Sequence, residues 1–317
     1  MSWTRRHALA AGAAAMALTG CARAQGAGRR VLAFYYGWYG PQAHWPPAEP
    51  ILNQPLGGEL YDSLDPAVVA RQLDQMAEAG ITGLIASWWG PGDRTDRNLD
   101  LLLPAAAERG LKATAYLEQA DTAAAASRQL AALYGKARHP AWLRVGERPV
   151  LFVFDRVLQT LGEEGWRRVA NPGFFIVGPA NDPEEVRRRA PLFDALHIYS
   201  LTFKTDGWRW LLGFQARRWM RRWVEAQGDA AVTTATVLPG FDDRHLRAGD
   251  RPVTPRRNGE TYDELWQAAV AAQPDWVLIN SWNEWHEGSE IEPSDENGAR
   301  ELNATRAWTQ RFLGSQS

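Results

Sequence analysis

A single cysteine, Cys21, stands in 317 residues, so no disulfide can form within the chain. Neither sign of charge dominates: 35 Lys and Arg against 37 Asp and Glu leave a formal charge of −2, without the basic footprint that nucleic acid requires. The basic cluster Arg217, Arg218, Arg221 and Arg222 has the spacing of a solvated helix face. The apolar stretch 8–19 is too short to span a bilayer as a stable helix. Internal repeats and low-complexity linkers are lacking, and with 45% hydrophobic residues the length suits one large core. One domain is the expectation.

The first residues, MSWTRRHALAAGAAAMALTGCARAQ, have the order of an export signal: an arginine pair, an apolar stretch and a small-residue end. Arg5 and Arg6 resemble a twin-arginine signal, and Leu18-Thr19-Gly20-Cys21 resembles the bacterial lipobox. Residues 1–20 are therefore expected to be a signal peptide, Cys21 the lipidated first residue, and 21–30 a short tether. An ordinary cleaved signal is the alternative. The expected location is the periplasm or the cell surface, with membrane contact only through the lipid. Removal of residues 1–20, which carry two arginines and no acid, takes the formal charge from −2 to −4.

What is abundant is apolar runs bounded by turn signals, each followed by a stretch of helical periodicity. Strand candidates begin at Val31, Gly83, Lys112, Pro149, Phe174, Ala195, Ala231 and Trp276, the last running to Trp285. Their continuous apolarity suits strands covered on both faces. Helix candidates are 66–79, 96–109, 122–137, 183–189, 208–226, 261–272 and 299–312, the first with Asp65 as N-cap, Pro66 in the first turn and Gly80 at its end. Eight alternations predict a single α/β domain, a (β/α)8 barrel of the TIM type over 31–317.

Active sites of such barrels lie at the C-terminal ends of the strands. There the sequence places Tyr35, Tyr36, Trp38, Tyr39, His44 and Trp45, then Trp88 and Trp89, Glu118, Asp155, His197 and Tyr199, Asp242 and Asp243, and finally Asn283, Glu284, His286 and Glu287. Of sixteen tryptophans, Trp142, Trp166, Trp210, Trp219, Trp223, Trp266 and Trp276 are assigned to the core or the helix–sheet layer. Tryptophan beside carboxylates at strand ends suits a sugar instead, because a flat ring packs on the C–H face of a pyranose while acids bond its hydroxyls. Glycoside hydrolysis needs two carboxyl groups, and Glu284 and Glu287 are the best pair. Residues three apart on a strand point to opposite faces, so the two converge only if the chain leaves the strand near Trp285, for which Gly288 is suited. His44, His197 and His286 share no metal-ligand spacing, so neither a metal nor another cofactor is expected. A histidine next to a catalytic Glu more often orients it by hydrogen bonding.

The segment SWNEWHEGSEIEPS, together with VLPGFDDRHLRAGDRPVTPRRNGETYDELWQAAV, YYGWYG with a downstream HW, LYDSLDPAVVARQLDQMAEAGITGLIASWWG and LKATAYLE, resembles glycoside hydrolase family 99 from Val31 to Pro293. That family comprises endo-acting α-mannosidases and mannanases, and belongs among family 71/99-like barrels. The resemblance implies that Glu284 is a base and Glu287 the acid/base of a retaining reaction, in which the substrate's own 2-hydroxyl attacks C1 and water opens the resulting 1,2-anhydro sugar. It also implies Tyr36, His44, Trp45, Trp89, Glu118, Tyr199, Asp243, Asn283 and His286 as substrate-binding residues, and an α-1,2-linked mannan or mannosyl glycan as the partner of a monomer. Departures from the family pattern are Gly37 in place of proline, a shorter 40–45 segment, and Ser289-Glu290 in place of Thr-Gln, with Glu290 close enough in sequence to perturb the site. Two rivals are a surface-polysaccharide-associated glycan-processing protein and a glycan-binding lipoprotein of related barrel fold. The export signal argues against nucleotide-sugar chemistry, and the presence of both acids argues against mere binding.

Overall fold

The computed structural model describes residues 28–314 apart from 42, 47, 48, 59, 207–210 and 248. The expected export signal, the expected lipidation at Cys21, most of the expected 21–30 tether and Trp210 lie outside the described residues.

Strands β1 (Arg30–Tyr35), β2 (Gly83–Trp88), β3 (Lys112–Leu117), β5 (Arg148–Val153), β6 (Phe175–Pro179), β7 (Ala195–His197), β8 (Thr234–Val237) and β9 (Trp276–Ile279) are parallel and hydrogen-bonded in the order β7-β6-β5-β3-β2-β1-β9-β8. A two-residue strand, β4 (Arg144–Val145), turns back antiparallel on β5. Between β7 and β8 the barrel is closed by side chains: Thr234 Oγ1 donates to Leu196 O at 2.7 Å, and Thr236 Oγ1 to Ile198 O. Eight parallel strands in this circle, alternating with helices, make the predicted (β/α)8 barrel.

The helices are α1 (Pro66–Glu78), α2 (Arg94–Glu108), α3 (Ala123–Lys136), α4 (Asp155–Trp166), α5 (Pro183–Arg189), the short α6 (Thr202–Thr205), α7 (Leu212–Ala226), α8 (Glu260–Ala272) and α9 (Arg300–Gly314). Asp65 caps α1 through the Ala67 amide, and Thr122 caps α3 through Ala125. Gly80, at φ 73°, takes the left-handed position that ends α1. The arginines of α7 named above are exposed, as expected of a solvated face.

Alternation along each strand sorts side chains into two layers. Leu32, Phe34 and Tyr36 fill the barrel interior with Ile85, Tyr116, Phe152 and Trp276. Val31, Ala33 and Tyr35 face the helices, where Trp88, Trp142, Trp223 and Trp266 are fully buried.

The structure corrects several expectations. Helix α4 had no counterpart among the predicted helices. The last strand ends at Ile279 rather than Trp285, and β8 is confined to four residues. His197 is not on the rim but inside the barrel, with Nδ1 2.9 Å from Gly178 O and Nε2 3.1 Å from the Tyr116 hydroxyl. Burial pushes its pKa down to about 4, so the ring is neutral.

Candidate active site

The segment after β9 is a buried loop, pinned from several sides. Trp282 N donates to Phe34 O at 2.8 Å, extending the pairing with β1 for one more bond. Asn283 then imitates a strand: its Oδ1 accepts from Tyr36 N at 2.8 Å and its Nδ2 donates to Tyr36 O at 2.9 Å. Glu284 N donates to Ser281 Oγ at 2.7 Å, and residues 285–288 form the turn that Gly288, at φ 59°, completes. Behind the loop, the Tyr61 hydroxyl donates to Glu292 Oε2 at 2.8 Å and accepts from Asn283 Nδ2 and Trp285 Nε1 at 3.1 Å each. The Tyr39 hydroxyl donates to Asn283 O and accepts from Trp285 N.

This scaffold delivers Glu284 and Glu287 to one cleft of about 390 Å³ at the C-terminal mouth of the barrel. The cleft is walled by aromatic rings, among them Tyr36, Trp38, Trp89 and Tyr199, and by the acids Glu49, Asp93 and Glu118. Rings beside carboxyl groups are what a sugar-binding cleft requires.

The two central acids have different surroundings. Glu287 Oε2 accepts from the Tyr199 hydroxyl at 2.8 Å, and Tyr199 accepts in turn from Tyr36 at 2.7 Å. Burial, then the negative charge of Glu284, push Glu287 up to about 8 against the opposing pull of Tyr199 and Arg247, a shift that favours its protonated form. Glu284 Oε1 instead meets His286 twice, through the backbone amide at 3.2 Å and ring Nδ1 at 3.1 Å. Burial opposes charge on His286, but Glu284 and Glu49 outweigh it and hold the ring above the ordinary histidine value. Across the cleft, Glu118 accepts from Ser87 Oγ at 2.7 Å and is pushed up to about 7, chiefly by burial.

The family model for glycosyl hydrolase family 99 matches residues 52–305. The chain belongs to glycosyl hydrolase family 99. The glycoprotein endo-α-1,2-mannosidase of Rattus norvegicus is 28% identical over an alignment covering 83% of this chain and 67% of that protein. The endo-α-1,2-mannosidase-like protein of Homo sapiens is 26% identical over 82% of this chain and 67% of that one. Among solved structures, the family 99 endo-α-mannosidase from Bacteroides thetaiotaomicron superposes with a TM-score of 0.77 over 90% of this chain and 98% of that chain, at 22% identity, which shows the shared barrel.

As a family 99 glycoside hydrolase the protein takes an oligosaccharide substrate, and the candidate residues can be placed against its cleft. Tyr36, His44, Trp89, Glu118, Tyr199, Glu284, His286 and Glu287 line it together. Trp45, Asn283 and Asp243 do not. Trp45 is buried, stacked on Tyr39 at 4.2 Å and bonded to Tyr61 O. Asn283 is spent on Tyr36 and Tyr61. Asp243 is fully buried, with Arg251 at 2.9 Å and Arg247 against it, so it carries the arginine that faces the cleft. Asp155, also placed on the rim, starts α4 and pairs with Arg189 at 3.0 Å. Glu290 is turned away from the cleft, against Arg256 at 2.5 Å and Asn53 at 2.8 Å.

Sequence reasoning missed Glu49, Asp93, Arg94, Phe154, Arg156 and Arg247 as cleft residues. Phe154 was within reach of the alternation rule, since it lies two residues beyond the inward-facing Phe152. The others sit in loops or at helix starts, where no periodicity marks an inward side chain.

Proposed function

We propose that the protein is a retaining, endo-acting hydrolase of α-mannosidic linkages of the α-1,2 type in mannan or mannosyl glycans. The observation that carries this reading is the unequal setting of two carboxyl groups in one cleft. Glu287 is kept protonated by burial and its acidic neighbour, and Glu284 faces an imidazole held ready to be positive. The names of the rat and human relatives support the linkage.

In the first step Glu284 removes the proton of the substrate's 2-hydroxyl, and O2 attacks C1. The bond from C1 to the leaving oxygen breaks, and Glu287 gives that oxygen its proton. In the second step Glu287, now a carboxylate, takes a proton from water whose oxygen attacks C1. The C1–O2 bond of the 1,2-anhydro sugar opens and O2 recovers its proton from Glu284. Two inversions at C1 return the α configuration. Export and lipidation at Cys21 complete the proposal and would place the enzyme where extracellular glycans are met.

The test is NMR analysis of products from α-1,2-linked mannan and mannosyl oligosaccharides. Release of an α-configured oligosaccharide is expected, with a loss of about a hundredfold or more in both Glu284→Gln and Glu287→Gln. A β-configured product, or a Glu284→Gln variant near wild-type rate, overturns the mechanism.

A further inference from the structure

His286 is in contact with acceptors at both ring nitrogens. Nδ1 lies 3.1 Å from Glu284 Oε1, while Nε2 lies 3.0 Å from His44 O and 3.2 Å from Glu49 Oε2. A neutral imidazole has one N–H, so either tautomer aims a lone pair at an oxygen acceptor. With the proton on Nε2, Nδ1 faces a Glu284 oxygen that must then carry a proton. With the proton on Nδ1, Nε2 faces a carbonyl and a carboxylate at once. Only the imidazolium satisfies all three contacts while leaving Glu284 unprotonated.

Among the described residues, Glu49 is the charged group in contact with the far side of this ring. It stands on the loop after β1, half-exposed, and its carboxylate also reaches His44 Nδ1 at 3.1 Å. His44 is in the left-handed region at φ 61°, and its carbonyl faces His286 Nε2. Tyr39 stacks on the His286 ring with centroids 5.5 Å apart, Trp38 lies at 6.3 Å, and the His44 ring, itself titratable, stands edge-on at 6.2 Å. The remaining titratable neighbours of Glu284 among the described residues include Tyr36, Tyr39, Glu118, Tyr199 and Glu287, none of them a cation.

We propose that Glu49 is a positioning residue for the reaction: through His286 it holds Glu284 as the unprotonated member of the pair. This rests on the reading of Glu284 as the base. Glu49 stays clear of the transferred proton, which passes between the substrate's O2 and Glu284. Its part is to keep the imidazolium in place, so that the carboxylate is ready before substrate arrives.

The chain is suited to a test that separates charge from shape. Glu49→Gln keeps an oxygen near Nε2, and His44 O remains as an acceptor, so the ring stays seated while the charge is lost. The first readout needs no substrate: imidazole ¹H–¹⁵N spectra across pH, with the His286 signals assigned by their loss in His286→Gln. In the wild type both nitrogens are expected to stay protonated above the pH at which an ordinary histidine loses its proton, and the midpoint to fall in Glu49→Gln. A neutral His286 at pH 6 in the wild type, or an unmoved midpoint in the variant, overturns the proposal. The second readout is the pH profile of kcat/KM on α-mannan, where the acidic limb is expected to move upward in Glu49→Gln. A uniform loss of rate at every pH, without displacement of the limb, assigns Glu49 a structural role only and overturns the proposal. A Glu284→Gln variant that keeps its rate overturns the base reading instead, and the spectra still report on the His286 contacts.

Discussion

Glu287, in the acid/base role proposed for it, works against the interest of the fold. An acid whose folded pKa is raised binds its proton more tightly in the native state than in the unfolded chain. Its burial is therefore tolerated at low pH, and the stability it leaves intact there is lost as pH rises from the ordinary Glu value through about 8. Replacement by glutamine removes that titration and keeps an acceptor for Tyr199. Glu287→Gln is expected to have a higher Tm than wild type near pH 9, with the gain shrinking toward pH 5, as differential scanning calorimetry can follow. An equal gain at both pH values would mean that the native carboxyl group is not held protonated. Glu284, three positions earlier in the chain, shares the burial but has an imidazole as its neighbour, which is why two carboxyl groups so close in sequence can take opposite roles.

At the scale of elements, the loop after β9 behaves as buried structure without being a strand. Its polar groups are satisfied by tyrosine hydroxyls and an asparagine side chain, and Tyr61 is the hub. Tyr61→Phe leaves the Trp285 indole N–H and Glu292 Oε2 each short of a partner, so a loss of about 3 kcal/mol in urea unfolding with an unchanged m-value is expected, together with a fall in kcat. The same loop explains what could be read from the sequence. Trp282 and Trp285 are as buried as any core residue, so their apolarity was indistinguishable from that of a strand and the predicted element ran six residues too far. Helix α4 was hidden for the opposite reason: Gly162, at φ 65°, interrupts its periodicity. Barrel strands and the two carboxyl groups that share the cleft were legible because alternation and a fixed spacing mark them. Where strands end, the inward-facing parity continues for one more step: Tyr36, Trp89, Glu118, Phe154 and Tyr199 each follow by two an inward-facing residue. Arg156 and Arg247 had no such signal, because an arginine that faces a cleft looks in sequence like one that faces water.

For the whole molecule, the circle of strands has seven neighbouring pairs joined by backbone ladders, and one pair, β7 and β8, held by two threonine hydroxyls. Thr234→Val with Thr236→Val preserves side-chain shape but leaves the carbonyls of Leu196 and Ile198 without those donors. A cost of about 1 to 3 kcal/mol for each is expected, with faster amide exchange in β7 and β8 than in β1 or β2. Equal acceleration around the barrel would show that the closure is not local. In the terms of a cylinder, it is woven on seven sides and sewn on the eighth, and the sewn side runs directly beneath Tyr199, which donates to Glu287. Tyr199 follows directly on Ile198, whose carbonyl the seam holds, so a parting of the seam is expected to move the hydroxyl that donates to Glu287.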